Sequence, residues 1–367
     1  MLLNLTILPG DGIGPEVTEQ AVLVLQAVAD AFGHQLQIQR KNIGGAALSA
    51  VNDPLPADTI EACLSSSAVL LGAVGSPAFD HYPNRLRPEA GLLRLRRELG
   101  AYANLRPAIC IPALEDCSPL RADLVRGTDI VIVRELLGGL YFGEPRSIVG
   151  EAGNRVATNT MTYSEPAIER IARVAFDLAM KRHKKVLSVD KANVLECSRL
   201  WREVVTRSAK NSPQVQLSHM YVDSAAMSLV QSPRDFDVIL TENMFGDILS
   251  DQAGGVVGSL GLLASASIGG PVGVYEPVHG SAPNIAGKGV ANPLGAILSA
   301  ALLLRHSFEL EREARCIEEA VNGVLHRGAR TADLAKRGEA PTSTSVMGQQ
   351  VVEAVKELAP GAKRKSA

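Results

Sequence analysis

The sequence predicts a largely parallel, doubly wound α/β fold divided into two domains. Three observations carry that expectation. The chain has 367 residues, more than one hydrophobic core usually accommodates. Short apolar runs alternate with helical patterns along most of its length, the texture of repeated βαβ units. The 33 glycines and an aromatic content of only 4% suit many tight strand-to-helix turns.

Each element follows from local pattern. Leu3 to Leu8 reads as a strand, and Pro15 to Phe32 as a helix with proline in its first turn. Leu36 to Gln39 and Ala68 to Ala73 read as further strands. A change of texture follows Gly100. Ser147 to Tyr163 is polar and β-rich, with Glu151-Ala152-Gly153-Asn154 as a turn between two extended pieces. It reads as a protruding β-arm, and since an isolated hairpin is marginal in water it is expected to pack on a partner. Helical periodicity returns at Glu165 to Arg182, Leu294 to His306, Glu309 to His326 and near Ser345 to Leu358. There is no internal repeat and no low-complexity linker.

The bulk numbers exclude several classes. A net charge of −2 leaves no field to draw the chain onto nucleic acid or membrane. The only basic run, Lys363-Arg364-Lys365, reads as a solvated tail. The five cysteines, Cys63, Cys110, Cys117, Cys197 and Cys316, form no Cys-x-x-Cys pair, so reduced structural thiols are expected rather than a disulfide frame or a zinc site. Pro9-Gly10-Asp11 interrupts the apolar start, which argues against a signal peptide or membrane span and for a cytoplasmic protein.

The ends of the buried strands carry the chemistry. Asp129 to Val133 runs into Arg134-Glu135, Val186 to Val189 into Asp190-Lys191, Met220 to Val222 into Asp223, and Val238 to Leu240 into Thr241-Glu242-Asn243. Ligands bind at that edge of an open α/β sheet. A single charge there needs no function, because strands must emerge into water somewhere; four of both signs point to a site.

Asp247 and Asp251 lie four apart in Phe245-Gly-Asp-Ile-Leu-Ser-Asp251, which on a helix sets both carboxylates on one face. Favourable acidity in a first helical turn is the plain alternative, and it suits Glu242 better than Asp251. Oxygen-only ligands select hard cations such as Mg²⁺ or Mn²⁺, with Asp223 a plausible third carboxylate. Arginines form the complementary set: Arg96 on the Leu92 to Glu98 helix, Arg106 in Tyr102-Ala-Asn-Leu-Arg-Pro107, and Arg134. Three guanidinium forks suit a substrate with two carboxylates, each charge-assisted bond contributing roughly 1.5–3 kcal/mol.

Two motifs fail. Gly10-Asp-Gly12-Ile-Gly14 follows a strand and opens a helix, but its third glycine comes one residue too early for a dinucleotide fingerprint, and the second strand ends without the ribose-binding acid. Gly287-Lys288-Gly289 is likewise no P-loop. The run from His279 to Pro293, rich in small residues, is better read as a ligand loop whose backbone N–H groups approach an anion.

Seven segments together resemble the family of 3-isopropylmalate dehydrogenases, within the isocitrate/isopropylmalate group of β-decarboxylating dehydrogenases. They are Leu8-Pro-Gly-Asp-Gly-Ile-Gly-Pro-Glu16, Gly91-Leu-Leu-Arg-Leu-Arg96, Tyr102-Ala-Asn-Leu-Arg-Pro107 and Val133-Arg-Glu-Leu-Leu-Gly-Gly-Leu-Tyr-Phe-Gly-Glu144. The others are Val189-Asp-Lys-Ala-Asn-Val194, Thr241-Glu-Asn-Met-Phe-Gly-Asp-Ile-Leu-Ser-Asp251 and Pro277-Val-His-Gly-Ser-Ala-Pro283. They cover nearly the whole chain in family order.

The resemblance implies two interleaved doubly wound domains with a mixed, largely parallel sheet. Residues 1–101 plus 258–367 would form a cofactor-side domain and residues 102–257 a dimerisation and metal-side domain. It implies NAD-dependent oxidative decarboxylation of (2R,3S)-3-isopropylmalate to 4-methyl-2-oxopentanoate, a step of leucine biosynthesis, with Mg²⁺ or Mn²⁺ on Asp223, Asp247 and Asp251. Lys191 would be the general base and Tyr141 the acid, with Arg96, Arg106 and Arg134 clamping the carboxylates. Glu89, Leu92, Leu93 and Val194 would line the pocket for the isopropyl group, and isocitrate is then expected to be a very poor substrate. NAD would contact His279, Gly280, Ser281, Ala282, Asn284, Ile285, Ala291, Asn292 and Asn193. In the implied homodimer Lys191, Asn193, Val194 and Asp223 enter the site of the neighbouring subunit. One departure stands out: the family usually has aspartate where this chain has Asn284, which keeps a hydrogen-bonding oxygen but loses a charge that repels NADP. The competing readings are a sister enzyme acting on homoisocitrate or tartrate, and, from another class, a two-lobed binding module or catalytically silent regulatory subunit. The lysine, tyrosine and acidic trio, all present, weigh against silence.

Overall fold

A computed structural model of the chain describes residues 1–258 and 260–360, so the basic run at 363–365 falls outside the described residues. The strands are β1 (Leu2–Gly10), β2 (Gln35–Arg40), β3 (Ala68–Ala73), β4 (Ala103–Ile109), β5 (Asp129–Glu135) and β6 (Ser147–Val149). They continue with β7 (Val156–Thr158), β8 (Lys185–Asp190), β9 (Gln216–Tyr221), β10 (Val238–Thr241), β11 (Ala264–Ile268) and β12 (Gly273–Pro277). The helices are α1 (Gly14–Phe32), α2 (Gly44–Val51), α3 (Ala57–Ser65), α4 (Pro88–Glu98), α5 (Ala122–Val125) and α6 (Glu165–Met180). After them come α7 (Glu196–Ala209), α8 (Val222–Gln231), α9 (Asn243–Val257), α10 (Leu294–Ser307), α11 (Glu311–His326) and α12 (Thr344–Leu358).

The chain divides into two compact units. The first comprises Met1–Ala101, Ile111–Cys117 and Gly258–Ala367, the second Tyr102–Cys110 and Ser118–Val257. The expectation of one uninterrupted second domain from 102 to 257 is therefore corrected at residues 111–117. That short excursion is tied to the first unit: Arg330 donates to the Ala113 carbonyl at 2.6 Å, and Lys336 pairs with Asp116 at 2.5 Å.

In the first unit the strand order is β2-β1-β3-β12-β11. All neighbours are parallel except β11, which runs antiparallel to β12. Every residue of β3 is buried, which explains why Ala68 to Ala73 reads as an unbroken apolar run rather than an alternation. Helix α1 buries Val17, Ala21, Val24, Leu25 and Val28, the 3.6-residue stripe of a helix covering a sheet, and stops at Gly33 with φ +74°. Helix α10 is buried almost all round, as a helix enclosed by other layers must be. A core of Leu8, Ile43, Leu55, Val69, Leu71, Leu95 and Leu99 receives Leu92 at its margin.

The second unit repeats the scheme in the order β4-β5-β10-β8-β9, with only β4 antiparallel to its neighbour. Phe176 on α6 and Trp201 on α7 are among its most buried side chains, each contributing roughly 1.5–3 kcal/mol or more by leaving water. The expected arm is present as β6 and β7 in antiparallel register, closed by a turn in which the Asn154 N–H meets the Glu151 carbonyl at 2.9 Å. All six of its strand residues are exposed, Ile148 at 63% and Val156 at 59%. The fold is thus α/β with mixed, largely parallel sheets.

Candidate active site

Four parallel strands of the second unit finish at one edge. The register places Thr241 beside both Arg134 and Val189, and Asp190 beside Tyr221, so the carboxyl ends of β5, β10, β8 and β9 align. Helix α9 begins directly beyond β10. Glu242 starts it: its carboxylate accepts the Phe245 N–H at 2.6 Å and the Met244 N–H at 3.1 Å, satisfying amides that a helix start leaves open. The plain structural reading of that glutamate is the correct one.

One turn into α9 the carboxylates meet the arginines. Arg106 Nη1, from β4, lies 3.3 Å from Asp247 Oδ1, 3.1 Å from Asp251 Oδ1 and 2.7 Å from Ser250 Oγ. Arg134, only 2% exposed, reaches Asp247 Oδ1 through Nη1. Tyr141, in the short turn Gly139–Tyr141, donates its hydroxyl to Asp247 Oδ2 at 2.8 Å, and the Arg134 guanidinium stands 5.5 Å from its ring centre. The structure thus brings together Arg106, Arg134, Tyr141, Asp247 and Asp251. Burial pushes the Asp251 carboxyl up; Arg106 opposes the shift and the charge of Asp247 adds to it. Burial, and then the Asp247 acceptor, push the Tyr141 phenol up to about 12. It is a protonated donor at neutral pH.

Lys191 and Asp223 form a separate pair. Lys191 Nζ lies 2.5 Å from Asp223 Oδ1, and that bond holds the exposed Asp223 carboxyl below its ordinary range. Asp223 sits in the first turn of α8 rather than at a strand end, because the strand stops at Tyr221. The charge beside Lys191 also differs from expectation. Asp190 is 1% exposed and gripped by Arg202 at 2.8 and 2.9 Å, a structural ion pair. Asn193 and Val194, just beyond, are exposed.

Among the described residues no three His, Cys, Asp or Glu side chains gather as a cation site within one chain. Asp247 and Asp251 nevertheless fit such an ion. Both reach one guanidinium nitrogen, their side chains remain 33% and 59% exposed, and Mg²⁺ is commonly held by one or two carboxylates while keeping several waters.

The first unit holds the remaining groups. Arg96, in the last turn of α4, is 8% exposed; its Nη2 lies 2.5 Å from Glu276 Oε1, and its Nε is buried with no partner among the described residues. On the same helix Glu89 is exposed, and Leu92 and Leu93 are half-buried. Leu92 packs on the core cluster, which leaves Leu93 as the leucine available for a ligand.

The loop from His279 to Asn292 follows β12. Its backbone is braced by the glycine motif near the N-terminus: the Ile13 N–H meets the Ser281 carbonyl at 2.8 Å, and Gly12 has φ +59°. A methyl group on Gly12 would lie 1.9 Å from that carbonyl oxygen. Asp11 completes the brace by accepting the Gly45, Ala46 and Gly75 N–H groups at 2.8–2.9 Å. His279 is held by the Gly280 carbonyl at 3.0 Å, and burial pushes its imidazole down. Gly280 and Asn284 are exposed, Ala282 and Ile285 half-buried, and Ser281, Ala291 and Asn292 buried. The Asn292 side chain caps α10 through the Leu294 N–H and donates to Asp333, so it shapes the loop.

Sequence reasoning missed Glu276 and Ser250 as members of these constellations. A lone acid inside the apolar run Val272 to Pro277 was the available signal for Glu276.

Compared with known proteins, residues 4–355 match the family described as isocitrate/isopropylmalate dehydrogenase. The chain is 54% identical over 354 residues to the 3-isopropylmalate dehydrogenase of Halalkalibacterium halodurans, covering 96% of this chain and 97% of that protein. It is 57% identical over 337 residues to that of Priestia megaterium, covering 91% of each. Among solved structures, the isocitrate dehydrogenase of Methylococcus capsulatus is similar with a TM-score of 0.85 at 37% identity, covering 96% of this chain and 98% of that one.

Proposed function

The chain belongs to the isocitrate/isopropylmalate dehydrogenase family, and from that premise we propose that it oxidises and decarboxylates (2R,3S)-3-isopropylmalate with NAD, releasing 4-methyl-2-oxopentanoate, NADH and CO₂ in leucine biosynthesis. One observation carries the reading: two buried guanidiniums, Arg106 and Arg134, lie against two carboxylates one helical turn apart, with a protonated phenol on the second oxygen of Asp247. That set can hold an anionic substrate beside a hard cation and return a proton to carbon.

The residues divide the work. Arg106 and Arg134 grip carboxylate oxygens of the substrate. Arg96 adds a third guanidinium, its buried Nε supplying a donor that has no partner among the described residues. Asp247 and Asp251, with Asp223, would hold Mg²⁺ or Mn²⁺, which would supply Lewis acidity at the reacting oxygen, and NAD would supply the hydride acceptor. Lys191 takes the hydroxyl proton as hydride leaves. Carbon dioxide is then lost, because the new ketone stands β to a carboxylate, and Tyr141 protonates the resulting enolate at carbon. Leu93, with Glu89 and Val194, receives the isopropyl group, for which the third carboxylate of isocitrate is a poor substitute. The loop His279 to Asn292, with Asn193, would hold NAD, and Asn284 would offer the adenosine ribose a hydrogen-bonding oxygen without the charge that excludes NADP.

Assembly follows from the same constraints. Lys191 and Asp223 bond each other rather than joining Asp247. Met227 and Val230 on α8 and Ile248 on α9 are exposed, as are Ile148, Val149 and Val156 on the arm. An apolar surface of that kind marks an interface. These features support a homodimer in which Lys191, Asn193, Val194 and Asp223 serve the site of the neighbouring subunit. No described helix is long and apolar enough to cross a membrane, in keeping with work in the cytoplasm on a small soluble acid. The test is NADH formation by purified protein from racemic 3-isopropylmalate, with and without EDTA. Activity abolished by EDTA and restored by Mg²⁺ is expected; no NADH with Mg²⁺ present would end the proposal.

A further inference from the structure

Asn243 opens α9 and is 1% exposed. An asparagine amide offers one acceptor oxygen and two donor hydrogens, and here all are engaged on opposite sides. On one side Oδ1 accepts Arg134 Nε at 3.0 Å and Arg134 Nη2 at 2.8 Å. On the other, Nδ2 donates to the Leu136 carbonyl at 3.1 Å and the Gly138 carbonyl at 3.0 Å. Leu136 and Gly138 begin the turn that ends at Tyr141. Glu135 holds the same turn by its amides, accepting Leu137 N–H at 3.1 Å and Gly138 N–H at 2.7 Å. Tyr141 and Arg134 then converge on the two oxygens of Asp247, one turn further along the helix that Asn243 begins. The circuit is closed: Arg134, Asn243, the turn, Tyr141, Asp247 and back to Arg134.

We propose that Asn243 is the positioning residue that sets Arg134 and Tyr141 in mutual register, aiming the guanidinium at the substrate and the phenol at the carbon it protonates. The inference rests on the roles proposed above for those two side chains. Asparagine is required because the two sides make opposite demands. Aspartate keeps an acceptor for Arg134 but has no hydrogen for the carbonyls, and its charge would face two carbonyl oxygens. Serine is too short to span both. A side chain of the wrong kind would leave the fold standing and mis-set the site, where an error near 1 Å costs as much as about 10²-fold in rate.

The experiment compares kcat and KM for 3-isopropylmalate in the Mg²⁺- and NAD-supplied protein and its variants, with near-ultraviolet circular dichroism as the control for folding. Asn243→Asp is expected to keep KM within about threefold, since Arg134 retains its acceptor, while kcat falls roughly 30-fold or more because the Tyr141 turn loses both donors. Asn243→Ser is expected to damage both, raising KM about tenfold. In a Tyr141→Phe background, Asn243→Asp should lower kcat by less than about threefold further, since residues acting as a unit are not additive. A purely structural asparagine would lower thermal stability, leave kcat and KM of the folded protein untouched, and add its cost independently of Tyr141. Folded variants with wild-type kcat and KM, or full additivity with Tyr141→Phe, would overturn the proposal while the reaction assignment stands. Should the aspartate variant not fold, the serine variant, alone and in the Tyr141→Phe background, decides by the same non-additivity in kcat. Wild-type turnover in Tyr141→Phe alone would sink the role of Tyr141, and this inference with it.

Discussion

Replacing Gly12 by alanine tests, from a distance, the cofactor role proposed for the His279–Asn292 loop. The added methyl group would lie 1.9 Å from the Ser281 carbonyl oxygen and 2.7 Å from its carbon. Ordinary contact needs about 3.5 Å, so the loop or the Gly10–Gly14 turn must yield by roughly 1.5 Å. Two energies oppose the change. Alanine at φ +59° is strained by roughly 1–2 kcal/mol, and loss of the Ile13-to-Ser281 hydrogen bond adds about 1 kcal/mol. The sum, about 2–3 kcal/mol, is within what a stable domain tolerates, so the variant folds with a lowered thermal midpoint. Its loop, however, is displaced by a distance that matters for a dinucleotide. The expected result is a KM for NAD raised on the order of 10- to 100-fold, with KM for 3-isopropylmalate within about twofold because Arg106 and Arg134 are built on other elements. Steady-state kinetics with each substrate varied in turn measures both. A folded Gly12→Ala protein with unchanged KM for NAD would refute either the cofactor role of the His279–Asn292 loop or the bracing role of the glycine motif.

The other expectations concern single side chains. Lys191→Ala should lower kcat by roughly 10²–10⁴, the usual scale for losing a general base; near-wild-type turnover in purified protein would remove Lys191 from that role. Asn284→Asp should raise the ratio of kcat/KM for NAD over NADP on the order of tenfold by restoring like-charge repulsion of a 2′-phosphate, and an unchanged ratio counts against the ribose contact. Burial pushes the Glu242 carboxyl up, so the native state binds a proton more tightly than the unfolded chain does. Wild-type stability should therefore fall as pH rises from the ordinary glutamate range through that elevated value. Glu242→Gln removes this decline, and urea unfolding across that pH range should show the two curves diverging; parallel curves would contradict the shift.

Much of this architecture was legible because the signals were local. The buried runs of β3 and β10 announce strands covered on both faces. The four-residue spacing of Asp247 and Asp251 needed only the helix that Glu242 starts. What was illegible depends on partners distant in sequence. Arg96 and Glu276 stand 180 residues apart, so no window containing one suggests the other. Asn243 reads as an ordinary polar residue until the turn before Tyr141 is folded against it. The strand-end charges show the ambiguity directly: Arg134 belongs to the site, whereas Asp190 belongs to Arg202 and Glu242 to the amides of α9. Leu92 and Leu93 were indistinguishable as adjacent apolar residues, and only the core cluster separates them. The Ile111–Cys117 excursion left no compositional trace, because its partners, Arg330 for Ala113, Leu334 for Cys117 and Lys336 for Asp116, lie more than two hundred residues away in sequence.

The pairing of β3 with β12 joins Ala68 to Gly273, and its consequence appears during synthesis. When β1, β2 and β3 have left the ribosome, one whole side of β3 still lacks its hydrogen-bonding neighbour. The second unit, by contrast, has all its strands once Thr241 is made. At about 5–20 residues per second, the gap of some two hundred residues lasts on the order of ten seconds or more. For that interval a fully apolar strand, Ala68 to Ala73, presents an open edge, the condition under which strands pair with the wrong chain. The nascent protein therefore passes through a window in which mispairing of β3 competes with completion of its sheet, and slowing translation downstream of Ala73 lengthens that exposure.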